Sequence, residues 1–84
     1  MDIERFVSDA VYRSVEALYG PLEGEPLQIQ KTRREFEGDF TLVVFPLLRR
    51  SRKGPEATAT EIGSRVVAEN PQFKGFNVVK GLSL

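Results

Sequence analysis

The chain has 84 residues, of which 40% are hydrophobic and 29% are charged, and its formal net charge is zero. This length allows a single small domain, and the composition is that of a folded protein rather than a disordered one. Because histidine and cysteine are both absent, Ser-His and Cys-His nucleophilic pairs, thiolate metal sites and disulfides are excluded, and catalysis by this chain is not expected.

The N-terminus and the apolar runs show no sign of secretion or membrane insertion. No apolar run approaches the roughly 20 residues that a transmembrane helix needs. Residues 1–5 lack the basic start and apolar core of a secretion signal. We therefore expect a cytoplasmic protein whose chain binds no membrane, metal or cofactor.

Charge is distributed unevenly along the chain although it sums to zero. Residues 1–30 hold two basic and six acidic side chains, whereas residues 31–53 hold seven basic and three acidic ones. Local fields, more than the global charge, steer an anionic partner. The middle of the chain is therefore the candidate surface for binding a polyanion.

An amphipathic helix is predicted for residues 2–19, where apolar side chains recur at three- and four-residue spacing. Asp2 suits the N-cap position, because its side chain can accept a hydrogen bond from a free backbone N–H. Gly20 can adopt the left-handed conformation that closes a helix, and Pro21 prevents its continuation. The side chain of Tyr19, at the end of this helix, is expected to be half-buried and to serve in packing.

Two strands that form a hairpin are predicted next, joined by a charged turn at residues 33–39. Residues 27–32 alternate apolar and polar side chains, which is typical of a half-buried strand. Residues 40–45 are continuously apolar, which indicates a central, well-covered strand. Pro46 ends this strand because proline cannot donate to a sheet ladder.

Residues 46–52 are predicted to form a short helical stretch with Leu47 and Leu48 anchored and the arginines solvated. A longer helix begins at Pro55 and stops at Asn70 before a second proline. Its predicted apolar face consists of Ala57, Ala59, Ile62, Val66 and Val67.

Residues 73–80 are predicted as a third strand, and residues 81–84 resemble the start of a fourth. A terminal strand without a cap or tail would be an exposed edge, which intact proteins tend to protect. We therefore expect that the chain is part of a longer protein, cut before its next domain. The whole pattern predicts an α+β fold in which residues 1–84 form one domain: a small two-layer sandwich, roughly α-β-β-α-β-β, with a mainly antiparallel sheet and the helices on one face.

Residues 36–40 read Phe-Glu-Gly-Asp-Phe, which resembles a Phe-Gly-Asp-Tyr signature with one inserted residue. That signature belongs to the N-terminal additional domain of arginyl-tRNA synthetases. The basic run, the Pro55-Glu56 helix start, the Ala59-x-x-Ile62 helix and Phe76-Asn77-Val78-Val79 follow in the order of that family. The resemblance covers essentially the whole chain.

The resemblance implies a domain of a class I arginine–tRNA ligase. Such a domain would contact the outer corner of arginine-accepting tRNA and recognise its D-loop. ATP-dependent activation would occur in a separate catalytic domain of the parent enzyme, whose His-Ile-Gly-His signature a histidine-free chain cannot carry. The implied partners are therefore this tRNA and the parent's catalytic domain. The family's Gly-aromatic-x-Asn pattern is not matched, because Gly81 is followed by Leu82-Ser83-Leu84, and no base contact is assigned.

Basic side chains are the candidate contacts to phosphate. Arg33 and Arg34 flank the predicted hairpin turn and could extend the patch formed by the central basic run. As an alternative, the run is a solubilising edge of a non-catalytic protein-docking or structural domain whose terminal strand is the adhesive edge. The central run consists of Arg49, Arg50, Arg52 and Lys53.

For the other polar and aromatic candidates, structural explanations are favoured. Gly38-Asp39 suits turn chemistry, and Gln28 and Gln30 suit an ordinary outward strand face. Phe73 and Phe76 could offer a stacking platform for an unpaired base. Core packing is favoured for Phe76, whereas both interpretations stay open for Phe73.

Overall fold

The structure, a computed structural model, describes residues 2–24, 27–31, 40–73, 77–78 and 82–83. The charged turn predicted at residues 33–39 lies outside these described residues. The helices are α1 (Ile3–Tyr19), α2 (Leu48–Ser51) and α3 (Pro55–Glu69), with a 3-10 turn at Phe45–Leu47 directly before α2. The strands are β1 (Ile29–Lys31), β2 (Phe40–Leu42), β3 (Asn77–Val78) and β4 (Leu82–Ser83).

Helix α1 begins and ends where its capping residues predict. The carboxylate of Asp2 accepts a hydrogen bond of 3.2 Å from the backbone N–H of Arg5, which satisfies one of the free donors at the helix start. At the other end Gly20 has a φ of 93° and donates its N–H to the carbonyl of Glu16. The side chain of Glu16 also accepts from the backbone N–H of Leu22, at 3.0 Å, and so directs the chain away from the helix.

The strands form a sheet of order β1-β2-β4-β3, in which every described pairing is antiparallel. The predicted β1–β2 hairpin is confirmed, with Gln30 opposite Thr41. The predicted exposed edge at the C-terminal strand is wrong, because β4 pairs with β2 on one side and with β3 on the other. The strand that the docking alternative required as an adhesive edge therefore lies inside the sheet.

Strand β2 is shorter than predicted. The expected strand reached Phe45, but regular pairing stops at Leu42, and Phe45 is the first residue of the 3-10 turn. Pro46 follows in a position that favours a helical start and cannot donate to a ladder. As a result Val44 is fully buried, whereas Phe45 is 60% exposed.

Helix α3 follows its predicted bounds, but one residue of its predicted apolar face is wrong. Pro55 occupies the first turn, and at the far end the side-chain amide of Asn70 donates to the carbonyl of Val66 at 2.9 Å. Ala57 is exposed, because the buried stripe is rotated by one residue from the predicted face. The buried residues are Thr58, Ala59, Ile62, Gly63 and Val66.

The core lies where α1 and α3 pack together and against β2. Phe73, predicted to begin a strand, instead lies in a turn after α3, where its N–H bonds the carbonyl of Asn70. The predicted α+β class, a small domain with a mainly antiparallel sheet, is confirmed. The fully or nearly fully buried core consists of Val7, Val11, Val15, Leu22, Phe40, Leu42, Val44, Leu47, Ala59, Ile62 and Val66.

Candidate nucleic-acid interface

The central basic run covers most of α2 and the tight turn that follows it before α3, and we call residues 49–53 the basic turn. Helix α2 ends at Ser51, and the next residue, Arg52, adopts a left-handed conformation with φ 58° and ψ 32°. Its backbone N–H donates to the carbonyl of Leu48 at 2.8 Å, which closes the last helical turn. The chain then enters α3 at Pro55.

Ser51 fastens the basic turn to α3. Its hydroxyl lies 2.7 Å from the hydroxyl of Thr58, which is fully buried in the first turns of α3. The same oxygen accepts a hydrogen bond of 3.3 Å from the backbone N–H of Lys53. Because the Ser51 hydroxyl contacts both Thr58 in α3 and the backbone of Lys53, the basic turn is held in a defined position against α3.

Glu61 provides a second attachment and joins three elements. One of its carboxylate oxygens accepts a hydrogen bond of 2.6 Å from the ammonium group of Lys53, in the basic turn. The other accepts from the phenol of Tyr19, at the end of α1, at 2.5 Å. We call Tyr19, Lys53 and Glu61 the carboxylate bridge, because the carboxylate on α3 connects the first helix to the basic turn.

The carboxylate bridge shifts two pKa values in opposite directions. The hydrogen bond from Lys53, and then the one from Tyr19, hold the pKa of Glu61 below its ordinary value of 4.5. Burial, followed by the hydrogen bond to Glu61 and its negative charge, raises the pKa of Tyr19 well above 10.0. At neutral pH the bridge therefore holds an ionised Glu61 and a protonated Tyr19.

The predicted phosphate contacts differ in their exposure. Arg49 and Arg52 are exposed, whereas Arg50 is half-buried. The side chain of Lys53 is 46% exposed although its ammonium group is bonded to Glu61. Arg33 and Arg34, as well as Gly38-Asp39 and Phe76, lie outside the described residues.

Two further predictions about surface residues can be compared with the structure. Gln30 in β1 and Gln28 just before this strand are both exposed, as their positions in the alternating pattern predict. Phe73 is half-buried, and its ring stacks on that of Phe6 with centroids 5.9 Å apart and an interplanar angle of 16°. One face of the ring is thus already covered, which favours the packing interpretation of Phe73 over a platform for a base.

Sequence reasoning missed two features of this region. The role of Glu61 was not predicted, since Lys53 precedes α3 and the pair is eight residues apart, outside the i,i+4 spacing that signals a helical ion pair. The apolar run predicts Phe45 in a strand, but it is the first residue of the 3-10 turn. The proline immediately after it was the available signal that it would lie at the start of a turn.

We expect Arg52→Gly to raise the free energy of unfolding by about 0.5–1 kcal/mol, since glycine adopts a left-handed conformation without the Cβ penalty. Chemical denaturation of the variant beside Arg52→Ala measures this effect. Alanine removes the same charge but keeps a Cβ, so it separates backbone strain from electrostatics. A glycine variant no more stable than the alanine variant would show that the left-handed conformation carries no cost.

In residues 2–24, 27–31, 40–73, 77–78 and 82–83, no group of three or more His, Cys, Asp or Glu side chains is placed to hold a metal ion. No helix within the same ranges is long and apolar enough to cross a bilayer.

The fold and the basic turn define a small α+β domain with a cationic surface segment. No protein-family model matches the sequence. The chain is 51% identical over 82 residues to the arginine–tRNA ligase of Bacteroides thetaiotaomicron and 49% identical over 83 residues to that of Porphyromonas gingivalis. A more distant relative, the arginine–tRNA ligase of Flavobacterium psychrophilum, is 33% identical over 92 residues.

These matches cover 96% of the chain but only 14% of the Bacteroides and Porphyromonas proteins. Among solved structures, the arginyl-tRNA synthetase of Thermus thermophilus matches 95% of the chain and 13% of its own length, with a TM-score of 0.73 and 22% identity, which shows a shared fold. The chain is homologous to the N-terminal region of bacterial arginine–tRNA ligases. The resemblance identified from the sequence is thereby confirmed.

Proposed function

We propose that the chain is a tRNA-binding domain that holds the outer corner of an arginine-accepting tRNA, at its D-loop. The observation that carries this proposal is the similarity of 96% of the chain to the N-terminal region of arginine–tRNA ligases. In this proposal residues 1–84 form one domain, and a separate catalytic domain binds ATP and attaches arginine. The protein would act in the cytoplasm, where tRNA is charged.

The domain would contribute to the reaction by orientation. Contacts to phosphate fix the position of a nucleic acid without reading its sequence. Holding the corner of the tRNA lowers the entropic cost of placing its distant acceptor end in an active site. The attachment of the basic turn through Ser51 and Glu61 supports this role, because a surface fixed before binding loses less entropy on binding.

The side chains proposed to contact phosphate have different roles. Arg49 and Arg52 are exposed and can reach a polyanion directly. Lys53 donates to Glu61, and the remaining donors of its ammonium group can face a phosphate. Arg33 and Arg34, in the turn predicted at residues 33–39, remain proposed contacts and lie outside the described residues.

The experiment that tests the proposal is a salt titration of binding between the chain and a fluorescently labelled arginine tRNA transcript. Each phosphate contact contributes about 0.7–0.9 to the slope of log affinity against log salt concentration. We expect Arg49→Ala/Arg52→Ala to reduce that slope by about 1.4–1.8, the contribution of two phosphate contacts. Arg50 is left unchanged, because it is half-buried and its replacement could disturb packing.

The matched control is Arg5→Ala/Arg65→Ala, which removes two exposed arginines from α1 and α3. The control variant should keep nearly all of the salt dependence. Equal slopes for both double variants would exclude the basic turn as the contact surface. No binding by the unmodified chain at low salt would contradict the proposed function itself.

A further inference from the structure

The ion pair between Lys53 and Glu61 joins the basic turn to α3, whereas Arg65 and Glu69 pair within a single helix. The side chain of Glu61 is 30% exposed, and its second oxygen accepts from the phenol of Tyr19. Both carboxylate oxygens are therefore engaged by side chains from two other parts of the fold. A carboxylate held on both oxygens has little freedom to reorient, so Glu61 is a fixed acceptor beside the basic turn.

Helix α3 holds the basic turn through two side chains that lie one helical turn apart. Thr58 and Glu61 are three residues apart in this α-helix, so they are neighbours on its surface. The hydroxyl of Thr58 lies 2.7 Å from that of Ser51, which also accepts from the backbone of Lys53. The bond to Glu61, by contrast, reaches the ammonium group at the end of the Lys53 side chain. Because the backbone is already attached through Ser51, Glu61 chiefly determines where that ammonium group lies.

We propose that Glu61 is a positioning residue for RNA binding, which holds the ammonium group of Lys53 where it can contact a phosphate. This inference rests on the proposed function and adds to it a residue that acts through Lys53 rather than by touching the RNA. An ammonium group has three donors, and Glu61 accepts from it, so donors remain for a phosphate oxygen. An unattached lysine side chain loses rotamer freedom when it binds, whereas Lys53 has lost part of that freedom on folding.

The negative charge of Glu61 means that a positioning role and a purely electrostatic role predict opposite results. A carboxylate repels a polyanion, so an electrostatic role alone predicts tighter RNA binding when Glu61 becomes glutamine. A positioning role predicts weaker binding, because a neutral amide holds an ammonium group less strongly than a carboxylate does. The structure favours positioning, since the phenol of Tyr19 keeps the carboxylate in place while the side chain of Lys53 stays 46% exposed.

The test is a salt titration of the chain with a labelled arginine tRNA transcript, at a temperature where circular dichroism shows every variant to be folded. We expect Glu61→Gln to weaken binding about two- to tenfold, which corresponds to the cost of ordering one lysine side chain. The slope of log affinity against log salt concentration should fall by about 0.7–0.9, the contribution of one phosphate contact. A loss of stability alone would leave this slope unchanged for the folded protein. Tighter binding by Glu61→Gln would overturn the proposal and show that Glu61 competes with phosphate for Lys53.

Two comparisons show whether Glu61 acts through Lys53. In a Lys53→Ala background, Glu61→Gln should cause no further loss of affinity, because no ammonium group remains to be positioned. An equal loss in both backgrounds would overturn the proposal. Glu69→Gln, which removes a paired carboxylate from the same helix, should bind the tRNA as the unmodified chain does, and a loss as large as that of Glu61→Gln would also contradict the proposal. The smaller slope expected of Arg49→Ala/Arg52→Ala does not depend on Glu61, so the proposed function would survive either failure.

Discussion

We expect Ile62→Ala to lower the free energy of unfolding by about 2–5 kcal/mol, the largest loss of stability among the changes considered. Ile62 is fully buried in α3 and belongs to the core where the two long helices meet β2. Its truncation removes apolar contacts and leaves a cavity that the surrounding residues fill only in part. A domain of this length has a total stability of about 4–13 kcal/mol, so a loss of this size removes a large part of it.

Thermal unfolding followed by circular dichroism measures the effect, and the midpoint should fall by more than about 8 °C. Ile3→Ala is the matched control, because it makes the same chemical change at a side chain that is 54% exposed. The control should stay within about 0.5 kcal/mol of the unmodified chain. Similar losses for the two variants would contradict the position of Ile62 in the core.

We expect Glu61→Gln to lower the free energy of unfolding at pH 7 by about 1–2 kcal/mol, because the charged acceptor of the carboxylate bridge is lost. The folded state lowers the pKa of Glu61, so its contribution is present above the ordinary value of 4.5 and is lost as the pH falls through the folded value. The difference between the unmodified chain and the variant should therefore disappear on acidification below pH 4.5.

Urea denaturation at pH 7, 5, 4 and 3 measures this difference. Glu69→Gln is the matched control, since Glu69 also pairs with a cation, Arg65 at 2.5 Å, but in an exposed i,i+4 pair. Its effect should be about 0.5 kcal/mol or less. A constant difference between Glu61→Gln and the unmodified chain across the pH range would show that the ionised form of Glu61 does not stabilise the fold.

Tyr19 determines how the carboxylate bridge contributes to stability at alkaline pH. A raised pKa means that its contribution is present below 10.0 and is lost as the pH rises through the folded value. Tyr19→Phe has no phenol to ionise. This variant should therefore lack the part of the alkaline stability loss that Tyr19 causes in the unmodified chain.

The elements that the sequence predicted correctly are those specified by local chemistry. Helix α1 is bounded by a side chain that caps its first turn and by a glycine with positive φ, both of which act within a few residues. The start of α3 at Pro55 has the same local origin. The position of Phe40 at the start of a strand could likewise be predicted from the apolar run that follows it.

The features that sequence reasoning missed depend on contacts between distant residues. The central position of β4 follows from pairing with β2, whose partner residues are about 40 positions away, such as Thr41 with Ser83. Small side chains such as Ala57 carry a weak hydrophobic signal, so a helix face assigned from them is easily rotated by one residue. The bond between Lys53 and Glu61 depends on the left-handed conformation of Arg52 between α2 and α3, which no spacing rule describes.

The location of β4 between β2 and β3 has a consequence for how the domain is synthesised. Until residues 82–83 leave the ribosome, one side of β2 has no strand to pair with, and the sheet cannot be completed. Pairings this distant in the chain close large loops and form late in folding. The nascent domain therefore acquires its native topology only after almost all of these 84 residues have been translated.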